Sequence, residues 1–313
     1  MTDQQPKLGQ PELATEMLSA SRPVRWPEGR ERTSAEAIQA GLGFLDCHWP
    51  DSSPGGQGTL WLTSSVLARL AEMSPEHIGY SLRRKIKTSL DWLMCVWSPE
   101  GAWGNDCACT AWAVLALRGL GLTVPGAAMD FLQRCRRPDG GFAAIAASGT
   151  GAQRNSVPAV TALAVRALGD EQVDWAAEQF LAAYLQAVDS GSATGSARAM
   201  RFHVCAEILD WHEGLASTSL LNLVRQVVSD IGNDGALDRA LQLRCFRRLR
   251  MQRAWPLAAD LRAMQMEDGS WPEREEHKIF TTVTAVSALV LGESQPGLYF
   301  GSDLPLPRRL QQW

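Results

Sequence analysis

A short segment, Asp106-Cys-Ala-Cys-Thr-Ala111, contains the side chains of this sequence best suited to proton or metal chemistry. Asp106 and Cys109 are three residues apart, so a helix would place both on one face. A carboxyl group held neutral by an apolar pocket can donate a proton, whereas a carboxylate beside a thiolate can bind zinc. An aspartate at the start of a helix also commonly caps it. Asp106 is therefore a candidate general acid, metal ligand or helix cap.

Two further polar side chains, His203 and Arg244, lie in segments expected to be buried. His203 is the histidine expected to reach the interior, where it could remove a proton from a carbocation or simply be a hydrogen-bonded core residue. Arg244 begins a basic run that continues to Arg250. The run either ends a helix near the negative end of its dipole or forms a buried anion site.

The elements that position these residues form a repeat. In four places an apolar helix is followed by a short Gly-containing acidic turn and then by a helix rich in threonine, alanine and apolar residues. The turns are Ser98-Pro-Glu-Gly-Ala-Trp-Gly104, Pro138-Asp-Gly-Gly-Phe142, Asn233-Asp-Gly-Ala236 and Glu267-Asp-Gly-Ser-Trp-Pro272. With two weaker copies the chain has six helix pairs, which predicts a repeat architecture.

The two helices of each pair have different patterns. The first has one apolar stripe and is expected to lie outside, whereas the second is small or apolar almost all round and is expected to lie inside. The inner helices are predicted to begin near Thr59, Asp106, Asn155, Arg198, Leu241 and Phe280. Six such pairs predict an all-α fold closed into an α/α toroid, with residues 34–293 as one domain and residues 1–33 and 294–313 as tails.

The first residues of the inner helices should line one mouth of this toroid. Besides Asp106 and His203, the predicted lining and substrate-binding residues are Trp61, Cys109, Trp112, Asn155, Phe202, Gln242, Arg244 and Phe280. Trp61 and Phe280 are expected at the same level. Aromatic rings in an apolar wall suit an isoprenoid chain and stabilise a developing carbocation, although such rings also commonly just fill a core.

The Gly turns and Thr-Ala helices, over about residues 35–291, resemble the repeats of the squalene/hopene cyclase and protein-prenyltransferase β-subunit superfamily. Class II terpene cyclases of this superfamily carry Asp-x-Asp-Asp-Thr-Ala, whose middle Asp is the acid. Aligned on Thr110 and Ala111, the family's first Asp falls on Asp106 and its middle Asp on Ala108. The resemblance implies acid-initiated cyclisation of an isoprenoid. Asp106 would donate the proton, Trp61, Trp112, Phe202 and Phe280 would supply π faces, and His203 would act as the base.

Two alternatives stay open. Prenyltransferase β subunits hold zinc through an Asp, a Cys and a His, and Asp106, Cys109 and His277 resemble that set. However, the family spaces its Asp and Cys two residues apart, whereas Asp106 and Cys109 are three apart. In addition, Thr281 and not a histidine falls near the position of the family's His. We therefore predict no metal and no cofactor. The other alternative is a non-catalytic toroid that binds a lipid or protein partner.

The composition and the N-terminal sequence bear on the kind of partner and on the cellular location of the protein. The chain has 313 residues, a formal charge of −4 and a pI near 5.8, which gives no electrostatic basis for nucleic-acid binding. The N-terminus lacks a signal-peptide pattern, and seven cysteines without CxxC pairs are expected to be reduced. These features predict a cytoplasmic protein. They leave a peripheral contact with membrane lipid and the oligomeric state open.

Overall fold

The computed structural model describes residues 31–49, 57–145, 155–169, 175–187, 195–211, 216–229 and 235–291. These residues form α1 (Ser34–Cys47), α2 (Gln57–Ala71), α3 (Tyr80–Cys95), α4 (Cys107–Gly119), α5 (Gly126–Arg134), α6 (Pro158–Leu168), α7 (Trp175–Ala187), α8 (Gly195–Leu209), α9 (Thr218–Val228), α10 (Ala236–Arg248), α11 (Ala254–Ala263) and α12 (Glu275–Val290). Apart from two isolated bridges, the described residues contain no β-structure, so the predicted all-α class is confirmed. No helix among them is long and apolar enough to cross a membrane.

The helices alternate between outer and inner elements in the predicted order, but some boundaries differ. Helices α10 and α12 begin at Ala236 and Glu275, each five residues before its predicted start. Both first turns carry acidic residues, which the positive end of the helix dipole stabilises and which an apolar pattern does not detect. Helix α6 begins at Pro158 because proline fits the first helical position. Of the predicted tails, residues 1–33 and 294–313, only 31–33 lie among the described residues.

Three of the turn motifs join an outer helix to the next inner helix by the same hydrogen bond. The backbone N–H of the aromatic residue in the turn donates to a threonine hydroxyl of the inner helix. The pairs are Trp103 with Thr110 (3.1 Å), Phe142 with Thr161 (2.9 Å) and Trp271 with Thr282 (3.4 Å). The indoles of Trp103 and Trp271 also each donate to a carbonyl of the preceding outer helix, at 2.7 Å. The aromatic residue therefore holds both helices of a pair together.

Glycine is required in these turns by conformation and by space. Gly101 has φ +88°, and a Cβ atom there would lie 1.9 Å from the carbonyl oxygen of Ala127 in α5. Gly269 has φ +86°, and its Cβ would lie 2.2 Å from the carbonyl oxygen of Ala40 in α1. Only glycine adopts this conformation readily and allows such an approach. The last turn thus packs against the first helix of the chain.

The inner helices contact one another in the cyclic order α2, α4, α6, α8, α10, α12 and back to α2. Each outer helix packs against an inner neighbour, α1 on α12, α3 on α2, α5 on α4, α7 on α6, α9 on α8 and α11 on α10. Near their C-terminal ends, α2, α6, α8 and α10 carry charged side chains that meet one another. These four helices therefore run in the same direction.

Candidate functional site

A cluster of charged side chains occupies the region where the inner helices end. It consists of Arg69, Glu72, Arg166, Glu207, Asp210 and Arg244, with Arg248 at its edge, and we call it the ionic cluster. Its principal contacts are Arg166 to Glu207 (2.6 Å), Arg166 to Glu72 (2.7 Å), Arg244 to Asp210, Arg244 to Glu72 (2.7 Å), Arg69 to Glu207, Arg69 to Glu72 (3.2 Å) and Arg248 to Asp210 (2.7 Å). Arg244 also donates to the Ser287 hydroxyl of α12 at 2.6 Å. The cluster links α2, α6, α8, α10 and α12.

The charges of the ionic cluster balance. The side chains of Arg69 and Arg244 are fully buried and that of Arg166 is 11% exposed, and they face three carboxylates. Arg248 is 35% exposed, so water screens much of its charge. Burying charges is tolerated only when each is paired and hydrogen-bonded, as these are.

Electrostatics keeps these carboxylates ionised. Burial alone would raise the pKa of Glu72, but Arg244, Arg69 and Arg166 lower it to about 2. For Asp210, burial is again outweighed, here chiefly by Arg244 and Arg248, and the pKa is lowered. The pKa of Glu207 is lowered in the same way by Arg69 and Arg166. None of the three carboxyl groups is therefore a proton donor near neutral pH.

His203 lies next to this cluster, on the inner face of α8. Its ring centroid is 6.2 Å from that of Trp112, which lies in α4, two places away in the cyclic order. The guanidinium of Arg69 lies 5.0 Å from the Trp112 ring. Burial lowers the pKa of His203, only partly opposed by Glu207, so its imidazole is neutral near pH 7.

The ring nitrogens of His203 make no hydrogen bond to any of the described residues. The nearest carboxylate oxygen, Oε1 of Glu207, is 3.8 Å from Nδ1, which is too long for one. The His203 side chain is 17% exposed although it stands on an inner helix.

Trp61 and Phe280 form a second aromatic contact, nearer the start of the inner helices. Their ring centroids are 4.9 Å apart at 48°, and the sequence places these two residues at one level. Trp61 is half-buried and Phe280 is 6% exposed. Trp61 precedes Arg69 by eight residues, which is about 12 Å along α2. We call the region from this aromatic pair, past Trp112 and His203, down to the ionic cluster the central site.

Asp106 is the N-cap of α4. Its Oδ1 accepts a hydrogen bond of 2.7 Å from the backbone N–H of Cys109. Burial raises the pKa of the Cys109 thiol, which disfavours the thiolate that zinc requires. His277 is 53% exposed and lies beside Glu276. Within the described ranges no three His, Cys, Asp or Glu side chains are grouped as metal ligands.

Three predicted lining residues lie away from the central site, and a fourth, Arg244, is part of the ionic cluster. The side chain of Gln242 donates to the carbonyl of Val228 in the outer helix α9, because the earlier start of α10 turns it outward. Phe202 is 2% exposed and belongs to the hydrophobic core. Asn155 is exposed ahead of α6. Arg244 is bound by two carboxylates, so it is part of an internal ion network and not a free anion site.

Sequence reasoning missed five members of the ionic cluster, Arg69, Glu72, Arg166, Glu207 and Asp210. A signal was present, because Arg69 and Arg166 interrupt inner helices that are otherwise small or apolar. A charged residue on such a helix requires a buried partner.

No family model and no curated protein matches this sequence. The chain is similar to the crystal structure of a protein from Actinoplanes, with a TM-score of 0.60 and 17% sequence identity. The match covers 84% of this chain and 100% of that chain. At this identity the likeness shows the fold alone.

Proposed function

We propose that the chain is an α/α toroid that binds an apolar isoprenoid at its central site and cyclises it as a class II-like terpene cyclase. The observation that supports binding most directly is the order of side chains along the central site. The Trp61–Phe280 pair lies toward one end, Trp112 and His203 lie deeper, and the ionic cluster closes the other end. Such a site offers an apolar chain aromatic walls and few polar contacts.

In the proposed reaction Asp106 donates a proton to a terminal alkene of the substrate, and the resulting carbocation is attacked by an internal double bond. The aromatic faces of Trp61 and Phe280 stabilise the positive charge by cation–π interaction. The neutral imidazole of His203 removes a proton from the cyclised cation, which restores a double bond. Substrate and product are isomers, and the proton returns to Asp106 through solvent.

A second function, binding without catalysis, is favoured by the role of Asp106 as a helix cap. Its carboxylate accepts the Cys109 N–H, which is a structural role that needs no catalysis. Ala108, at the family's usual acid position, has no acidic group.

Incubation with linear isoprenoids, followed by product analysis by gas chromatography and mass spectrometry, separates the two functions. The wild type should yield cyclic isomers of its substrate, and Asp106→Asn should yield none. Asparagine caps a helix as well as aspartate does, so the variant should keep its melting temperature. An active Asp106→Asn protein would show that the acid is another group. A wild type that binds isoprenoids without converting them would establish the binding function.

A further inference from the structure

We propose that the surface groove between the end of α1 and α3 binds a small ring compound with one carboxylate group, which Arg84 holds while Trp49 packs against the ring. The groove has a volume of about 340 Å³. Its lining residues are Trp49, Ser81, Arg84, Lys85, Thr88 and Ser89. All but Trp49 belong to the outer helix α3, whereas the central site lies on inner helices. The inference is therefore independent of the proposed function.

The groove is built from a rigid helix face and a fixed aromatic ring. The five lining residues of α3 are related by steps of three and four residues, so they share one face of the helix. The indole N–H of Trp49 donates to the hydroxyl of Ser89 at 2.8 Å. Ser89 is fully buried, so this hydrogen bond holds the indole against α3. Little order has to be imposed when a ligand binds to such a site.

Arg84 gives the groove a positive charge that no described side chain neutralises. The residue is exposed, and its guanidinium has no ion-pair partner among the described residues. Lys85, by contrast, is ion-paired with Asp46 at 3.1 Å and also donates to the Asp46 carbonyl. The lining therefore calls for one negative charge. A carboxylate supplies that charge and accepts two parallel hydrogen bonds from a guanidinium, whereas a phosphate monoester carries close to two charges near neutral pH.

The exposed hydroxyl groups of the groove add no donors for an anion. Ser81 donates to Oδ1 of Asp46 at 3.0 Å, and Thr88 donates to the backbone carbonyl of Arg84 at 3.1 Å. A hydroxyl group has one hydrogen, so both present acceptor oxygens to a ligand. The Arg84 side chain is therefore the main contact for the carboxylate.

The size of the groove and the indole of Trp49 define the rest of the ligand. A volume of about 340 Å³ is near the lower end of the range of small-molecule sites, roughly 300 to 1,000 Å³. The groove therefore fits one or two rings better than a long chain. Aromatic rings pack favourably against one another in offset or edge-to-face arrangements, and Trp49 offers such a surface next to the charge of Arg84.

Calorimetric titration of the full chain with naphthoate, naphthamide and naphthyl phosphate tests the charge and the ring. These probes share two fused rings and differ in charge. The ion pair with Arg84 should give naphthoate about a tenfold lower Kd than the neutral naphthamide. Naphthyl phosphate should bind no more tightly than naphthoate, because Asp46 already occupies Lys85. Trp49→Leu should weaken the binding of naphthoate and naphthamide by the same factor.

Two variants of α3 separate a direct contact from a general effect of charge. Arg84→Gln should abolish the preference for naphthoate over naphthamide, whereas Lys87→Gln should retain it. Lys87 is exposed on the same helix and does not line the groove, so the control removes the same charge from the surface. In Asp46→Asn, which releases Lys85 from its ion pair, naphthyl phosphate should become the tighter ligand.

Several results would overturn the inference. Equal Kd values for naphthoate and naphthamide, or an unchanged preference in Arg84→Gln, would rule out the carboxylate contact. Equal losses in Arg84→Gln and Lys87→Gln would show that only the net charge of the surface attracts the anion. Tighter binding of naphthyl phosphate by the wild type would rule out the single charge, and binding of none of the probes would rule out the site. None of these results bears on isoprenoid conversion at the central site.

Discussion

Arg69 in α2 is ion-paired with Glu207 in α8, and these two helices stand three places apart in the cyclic order of six inner helices. Glu207 also binds Arg166 of α6 at 2.6 Å, so one buried carboxylate connects three inner helices. A contact of this kind fixes the relative positions of helices that are distant in the sequence. The contact lies near the C-terminal ends of these helices.

Replacing Glu207 by Gln should destabilise the protein by about 3 to 5 kcal/mol, because two buried guanidinium groups lose their charged partner. Urea denaturation followed by circular dichroism measures the change. Asp260→Asn removes a carboxylate that is 60% exposed and paired with Arg239, and it should cost about 1 kcal/mol or less. Equal losses in the two variants would show that the ionic cluster does not stabilise the fold.

Stability should fall in acid in a window set by Glu72. The pKa of this group is lowered from 4.5 to about 2 in the folded protein. The group therefore stabilises the fold fully above pH 4.5, and this contribution is lost as the pH falls from 4.5 toward 2. The free energy of unfolding of Glu72→Gln should depend less steeply on pH in that window than that of the wild type. If its slope matches both the wild type and the surface control Glu276→Gln, the assignment is wrong.

The turn tryptophans should be required for stability. Trp103→Ala and Trp271→Ala each remove a fully buried ring and an indole hydrogen bond to the preceding helix, so we expect losses of about 3 to 5 kcal/mol. Trp255, which is 74% exposed, provides the control. Thermal unfolding should show a large drop in Tm for the first two variants and almost none for Trp255→Ala. An unchanged Tm in Trp103→Ala would contradict the joining role of these rings.

The capping role of Asp106 can be measured apart from any catalysis. Asp106→Ala should lower the free energy of unfolding by about 1 kcal/mol, whereas Asp106→Asn should change it little, because asparagine retains a side-chain oxygen for the Cys109 N–H. Denaturant unfolding of both variants gives the comparison. If alanine were tolerated as well as asparagine, the hydrogen bond to Cys109 would have no energetic importance.

The repeat allowed much of the fold to be predicted from the sequence. The motif could be recognised because its residues interact locally. The glycine, the aromatic ring and the threonine contact only their own helix pair and its nearest neighbour, as at Gly101, Trp103 and Thr110. The predicted helix starts were wrong where the first turn consists of charged residues, which do not belong to the apolar pattern, as at Glu275 in α12.

The ionic cluster could not be predicted in the same way because its partners are far apart in the chain. Arg69 and Glu207 are 138 residues apart, and their contact depends on how six helices come together. The prediction that Gln242 lines the centre was wrong, because its side chain donates to the carbonyl of Val228 in the outer helix α9. A shift of a few residues in the start of a helix is enough to turn a side chain from the centre toward an outer neighbour.

A crystal structure of the protein soaked with farnesol tests the central claim most directly. We predict electron density for the ligand between the Trp61–Phe280 pair and the Trp112–His203 pair. The surface groove lined by Trp49, Arg84 and Lys85 between α1 and α3, about 340 Å³ in volume, is the alternative location. Ligand density confined to that groove, with the centre of the inner helices unchanged, would contradict the account.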